Sequence, residues 1–274
     1  MGKHVDIRPR ASGDVPGFFF FGVYWIGTMD RTKLIFLDTE TTGIGPEDRL
    51  CQVAYEFGGR EAESLFCPPV PISIDAMVVT RITNKMVEAC PPFAESEMHR
   101  ELSDIFASGA VLVAHNAKFD ADMLVREGIA VGGMIDTFKV AHHLDIAGEI
   151  PKYNLQYLRY YHDLDVEDAS AHDALGDVRV LRALFDFHFT KMLGTLGDEG
   201  AVLHEMLAVS TRPILIRKFN FGKYSGEDVK KVASEDASYL AWLLNQKVMA
   251  RERGEEDDEN WIYTLDHYLK GSTS

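Results

Sequence analysis

Cysteine is scarce in this chain, and where it occurs its spacing carries no chemistry. Cys51, Cys67 and Cys90 form no C-x-x-C pair, so neither a zinc-binding set nor a disulfide framework is indicated. Such usage fits a reducing cytosol. Long apolar runs are missing too. The most apolar stretch, from Gly17 to Gly27, is 11 residues long, against the roughly 20 that a bilayer span needs. No membrane partner is therefore expected, and the cytoplasm is the expected location. A basic start from Lys3 to Arg10 gives the N-terminus some look of a signal peptide. Asp14, Pro16, the aromatic content and the lack of an A-x-A-like cleavage site argue against one. Residues 1–28 are read as an N-terminal extension, disordered or not native, with Met29 as the alternative start of translation. Positive charge is also in short supply. Lys and Arg number 28 against 43 Asp and Glu, a formal net charge of −15. That excludes a protein that holds nucleic acid mainly by a broad basic surface. It leaves open a local anion-binding site, because bound metal ions reverse the sign of a site locally.

What the chain does have is carboxylates in telling places. The run Leu34-Ile35-Phe36-Leu37 reads as a buried strand and leads into Asp38-Thr39-Glu40-Thr41-Thr42-Gly43. Side chains two apart on a strand share a face, so Asp38 and Glu40 project together. Like charges that close raise each other's pKa unless something positive lies between them. A divalent cation with oxygen ligands, Mg²⁺ or Mn²⁺, is the natural answer. Taken alone, the segment also suits a strand ending in a Thr-rich turn with solvated acids. In Val111 to Leu124, a strand, a turn and a helix start are legible. There Asp120 shares a helical stripe with Met123 and Leu124 and should face the sheet. An acid at an apolar-facing position is rarely structural unless paired or bound to metal. Asp177 likewise leads a stripe with Leu181 and Leu184, and His172 precedes that helix.

In this order, Asp-x-Glu, His-Asn-x-x-Phe-Asp and His-x-x-x-x-Asp resemble the three motifs of the DEDDh, or DnaQ-like, 3′→5′ exonucleases. The resemblance covers roughly residues 33–190 and implies an RNase H-like α/β fold. Carried over position by position, it makes Asp38, Glu40, Asp120 and Asp177 the metal-binding acids and His172 the general base. It also implies two metal ions per site, with Asp38 bridging them. A neutral histidine suits the base role, since its unperturbed pKa lies near 6.5. By the same resemblance Thr41, Thr42, Asn116 and Phe119 hold the terminal nucleotide. Thr41 and Thr42 suit ordinary turn chemistry equally well, and Phe119 suits the core. Thr80-Arg81, before Ile82-Thr83-Asn84-Lys85-Met86, stands where many members of the family have His-Gly.

The remaining pattern predicts a mixed five-stranded sheet flanked by helices. Strands are expected at 33–39, 50–57, 61–67, 110–114 and near Met134-Ile135-Asp136, with Gly58-Gly59 as a hairpin turn. Residues 69–93 read as irregular. Helices are expected at 94–107, at 119–128, from Asn154, and at 173–192, where the last closes an exonuclease domain over 29–193. Adjacent His142 and His143 cannot easily share one metal. Residues 194–212 read as a connector that includes a helix with Leu203, Met206 and Leu207.

A small module over 213–274 follows. It reads as two short strands with glycine punctuation, a helix capped by Ser234, and a last helix with Trp261 and Leu265. Phe-Gly-Lys-Tyr-x-Gly and the Tyr-Leu-x-Trp-Leu-Leu run are similar to the C-terminal module of exonuclease X-like DNA exonucleases. From Arg212 to Lys231 there are six basic residues against two acids. With Phe219, Phe221 and Tyr224 interleaved, Lys218 and Lys223 suit phosphate contacts beside base stacking on a single strand. A solvated hairpin with core aromatics is the other reading. The expected activity is metal-dependent 3′→5′ hydrolysis of single-stranded nucleic acid ends, with DNA favoured by the C-terminal module. Two alternatives stay open: an RNA-trimming enzyme resembling ribonuclease T or oligoribonuclease, and a proofreading subunit with a polymerase partner. The sequence leaves a homodimer open as well.

Overall fold

The computed structural model describes residues 30–166, 174–253 and 258–271; the extension expected at 1–28 and His172 lie outside these. Five strands form one sheet: β1 (Leu34–Thr41), β2 (Leu50–Phe57), β3 (Arg60–Leu65), β4 (Val111–Ala114) and β5 (Met134–Asp136). Their order is β3-β2-β1-β4-β5. β2 runs antiparallel to β1 and β3, while β4 lies parallel to β1 and β5 parallel to β4. The β2–β3 hairpin turns on Gly58 and Gly59, with φ of 60° and 80°. A two-residue turn with both φ positive is where glycine is favoured.

The helices are α1 (Ile74–Thr80), α2 (Asn84–Val87), α3 (Glu97–Ala107), α4 (Ala117–Arg126), α5 (Thr137–Leu144), α6 (Leu155–Tyr161), α7 (Ala174–Leu196), α8 (Glu199–Ser210), α9 (Val229–Glu235), α10 (Ala237–Glu252) and α11 (Glu259–Gly271). β1 is apolar on both faces because both are covered. Ile35 and Leu37 pack with Leu102 of α3 and Leu124 of α4. Leu34 and Phe36 pack on the opposite side with Val178, Leu181 and Phe185 of α7. The same alternation, continued past Leu37, sends Asp38 and Glu40 toward α7. Among the described residues no helix is long and apolar enough to cross a membrane.

Several expectations change. Residues 69–93 are not irregular throughout, because α1 and α2 form there. Ser73 caps α1 by accepting the Ala76 N–H, and Ile72, Ile82 and Val87 bury against Cys51. Both helices are too short to show a periodic stripe in sequence. The segment expected as a connector contributes α8, which buries Val202, Leu203 and Met206 in the α7 core. Ser210 then accepts the Asp136 N–H at 2.8 Å. In place of two strands, the start of the module makes a single bridge, Lys218 with Asp228. Gly222 and Gly226, with φ of 67° and 89°, fold the chain too tightly for a ladder. Ser234 lies inside α9, and Asp236 caps α10 by accepting the Tyr239 N–H. The module has its own core, in which Phe219 stacks on Trp261 at 5.0 Å and Phe221 meets the same ring edge-on. Phe219 is therefore packing, not a surface for bases.

Arg81 ends α1 in the left-handed region, with φ 62° and ψ 10°. A side chain at such a position is strained, which is why glycine usually ends helices this way. Arg81→Gly should raise unfolding stability by about 0.5–1 kcal/mol, the relieved strain being partly offset by the freer unfolded chain. Urea denaturation checks this, and a loss of stability would mean that the arginine side chain outweighs its backbone.

Candidate active site

The end of β1 delivers two acids to one face, and α7 brings a third to it in its first turn, Asp177. Asp177 Oδ1 accepts a hydrogen bond from Gln156 Nε2 at 2.5 Å. Thr39, between the two β1 acids, points the other way. Its Oγ1 donates to Asp120 Oδ1 at 2.7 Å, holding this buried carboxylate in the first turn of α4. The turn before α4 is fixed at Asn116, which has φ 70° and donates its backbone N–H to Asp136 Oδ1. Asparagine is one of the few residues that tolerate that backbone readily. His115 sits between Thr137 Oγ1 and the carbonyl of Tyr153, at 2.9 and 2.7 Å. That contact ties the β4 turn to the segment leading into α6.

The four acids feel one another. Burial lifts the Asp38 carboxyl well above its usual range, and Asp120, Glu40 and Asp177 lift it further. Glu40 is pushed up to about 7 by burial and then by Asp177. Asp120 is pushed up to about 7, mainly by burial, while the Thr39 hydrogen bond works in the opposite direction. As the side chains stand, however, no group of three or more acidic, His or Cys side chains among the described residues closes on a shared metal position. Asp120 is turned toward Thr39 and Asp177 toward Gln156, and carboxylates left to repel one another settle on such donors. The donor set nonetheless fits a hard divalent cation: all four groups offer oxygen, and they are close enough to raise the pKa of Asp38 together.

The other sequence-predicted positions divide. Thr41 and Thr42 are buried, and their hydroxyls close the turn. Thr41 donates to the Gly43 carbonyl, while Thr42 donates to Asp48 and accepts the Arg49 N–H. These bonds shape the turn that follows β1. Asp48, which the sequence reading passed over, organises it. A Cβ on Gly43 would stand 2.6 Å from an Asp48 carboxylate oxygen, so any larger residue there would displace the Asp48 side chain from its present position. Asn116 is exposed, and Phe119 is half-buried against the α3–α4 core. Lys223 pairs with Asp236 at 3.0 Å and lies over the Tyr224 and Tyr239 rings. Lys218 is exposed. Gln156 was also missed, and only its place at an N-capped helix start was legible. His172 lies outside the described residues.

Residues 35–185 match the Exonuclease family, and residues 219–248 match the Exodeoxyribonuclease X-like C-terminal family. Exodeoxyribonuclease 10 of Escherichia coli strain K12 is 30% identical over 244 residues, covering 87% of this chain and 100% of that protein. The DNA polymerase III subunit epsilon of Treponema pallidum is 32% identical over 162 residues, 54% of this chain and 72% of that one. The zinc-bound E. coli ExoI–ssDNA complex shares the fold, with a TM-score of 0.50 at 18% identity over 63% of this chain and 42% of that chain.

Glu40 and Asp120 each bind a proton in the folded protein up to about pH 7. In the unfolded chain they release it near pH 4. Their raised pKa therefore favours folding fully below about pH 4, and that contribution is lost as pH rises through about 7. Metal-free protein should melt at a lower temperature at pH 8 than at pH 6. Millimolar Mg²⁺ should raise the melting temperature more at pH 8. An equal rise at both values would argue against these acids as the ligands.

Proposed function

We propose, on the premise that this chain belongs to the Exonuclease family, that it is a nuclease that removes nucleotides from the 3′ end of single-stranded DNA. One observation carries the catalytic part: carboxylates from β1, α4 and α7 are close enough to raise the pKa of Asp38 together. DNA is assigned because the C-terminal match is to the Exodeoxyribonuclease X-like family, and the relative covered over its full length is an exodeoxyribonuclease. The likeness to a polymerase subunit reaches only 54% of this chain, which favours a free-standing enzyme.

The family is metal-dependent. Asp38, Glu40, Asp120 and Asp177 would hold two Mg²⁺ ions, with Mn²⁺ also suited to the oxygen donors. Bound there, the ions neutralise charge on the phosphoryl oxygens and lower the pKa of a water. The chain's own residues do the rest. Thr39 and Gln156 fix the directions of Asp120 and Asp177 through the hydrogen bonds they donate. His172 serves as general base and takes the proton of the attacking water; a histidine near its ordinary pKa is neutral enough for that at pH 7–8. Asn116 and Phe119, beside the start of α4, face the terminal nucleotide.

A time course on 3′-labelled and 5′-labelled single strands, as DNA and as RNA, with and without Mg²⁺, tests the reading. Label should leave the 3′ end first, from DNA faster than from RNA, and only with the metal. Asp38→Ala and Asp177→Ala should abolish hydrolysis. His172→Ala should keep metal and DNA binding while slowing turnover by ~10²–10⁴-fold, the usual loss of a general base. Near-wild-type turnover in that variant would reject the base.

A further inference from the structure

Between the nuclease body and the C-terminal module lies a groove of about 710 Å³. That is within the range of about 300–1,000 Å³ typical of ligand clefts. Residues 148 and 150–153 line it from the body, and residues 216–220 from the module. Three rings form part of the lining. His142 stacks on Tyr153 at 3.5 Å and 18°, and Phe138 meets His142 edge-on at 4.7 Å. Burial first, then the nearby Arg217, pushes the His142 pKa down to about 4, so this ring is a neutral plate. Lys152 and Lys218, one from each side, are exposed and form no ion pair with the described residues. Arg217 joins the two sides by donating to the Ile146 carbonyl at 3.0 Å. The acid on the lining, Asp258, is already paired with Lys247.

This is a local excess of positive charge in a chain whose net charge is −15. Rings flanked by unpaired cations are what a single strand recognises, through stacking and phosphate contacts. The groove also adjoins the acids. Tyr153 lines it, and Gln156, three residues on, donates to Asp177. At most about 10 Å of extended chain separates the two.

We infer that this groove holds the part of the single strand on the 5′ side of the nucleotide being removed. Phosphates would lie against Lys152, Arg217 and Lys218, and bases against the Phe138–His142–Tyr153 rings. The polarity rests on the exonuclease reading above; the binding does not.

The test is fluorescence anisotropy in EDTA, where no turnover occurs. An oligothymidylate of about 15 nucleotides, inside the usual range of single-strand sites, is compared with one of about 3 nucleotides. The double variant Lys152→Glu/Lys218→Glu should bind the long strand roughly tenfold more weakly at ~0.1 M salt. Its salt slope should fall by roughly 1.4, two contacts at about 0.7 each. Affinity for the short strand should change little, and Lys33→Gln, at an exposed lysine just ahead of β1 and outside the groove lining, should bind like wild type. Should charge reversal unfold the module, as seen by circular dichroism, Lys152→Gln/Lys218→Gln carries the same expectation at smaller amplitude. Unchanged affinity and slope for the long strand would overturn the inference, as would an equal loss in Lys33→Gln. Wild-type protein that binds the long strand through these lysines but never shortens it with Mg²⁺ would sink the exonuclease reading and leave the groove standing.

Discussion

Repulsion between half-buried carboxylates at the end of one strand is the constraint around which this fold is arranged. Asp38 stands at the centre of it, raised by burial and by three other acids. Nothing about packing requires such a cluster, and an apolar strand end would be more stable without it. The structure contains the repulsion in two ways. It distributes the acids over both sides of the sheet, since β1 alternates and α4 and α7 cover opposite faces. It also gives two of them a donor, Thr39 for Asp120 and Gln156 for Asp177. Each donor occupies one oxygen of its carboxylate, Oδ1 in both cases.

The surroundings are correspondingly rigid. Asp136 Oδ1 accepts the backbone N–H groups of both Asn116 and Phe138, holding the β4–α4 turn against the start of α5. Asp48 does the same for the turn after β1, through Thr42 and the Gly45 N–H. Two acids outside the cluster thus work as scaffolding for the loops around it. A polar residue that satisfies backbone groups in this way stabilises a loop at little cost, because the donors would otherwise be unpaired. The α8 helix completes the support by burying its apolar side against α7, while Ser210 receives an N–H from the end of β5. The body therefore extends past the long helix that had been expected to close it.

The C-terminal module is a separate core of aromatic and aliphatic side chains docked beside this body. Its lysines differ in their partners. Both Lys223 and Lys218 are exposed, but Lys223 is paired with Asp236 and lies over two tyrosine rings, whereas Lys218 at the seam with the body has no ion pair among the described residues. Interleaving of basic and aromatic residues in the sequence concealed that division, because Phe219 is packed inside while the cations beside it stay at the surface.

Much of the site was legible from local order alone. Alternation along a strand put Asp38 and Glu40 on one face, and helical spacing turned Asp120 and Asp177 toward the sheet. The strands at 50–57 and 134–136 and the glycine hairpin followed from the same short-range rules. What no local rule reached were choices made between distant residues. Asp120 takes its donor from a residue 81 positions away, and Asp177 from one 21 away. Lys223 finds its acid 13 residues on, across a turn that sequence periodicity read as strands. The face on which a side chain emerges is set by backbone geometry, which each residue carries with it. The partner it meets there is set by how the elements pack, and only the assembled structure decides that.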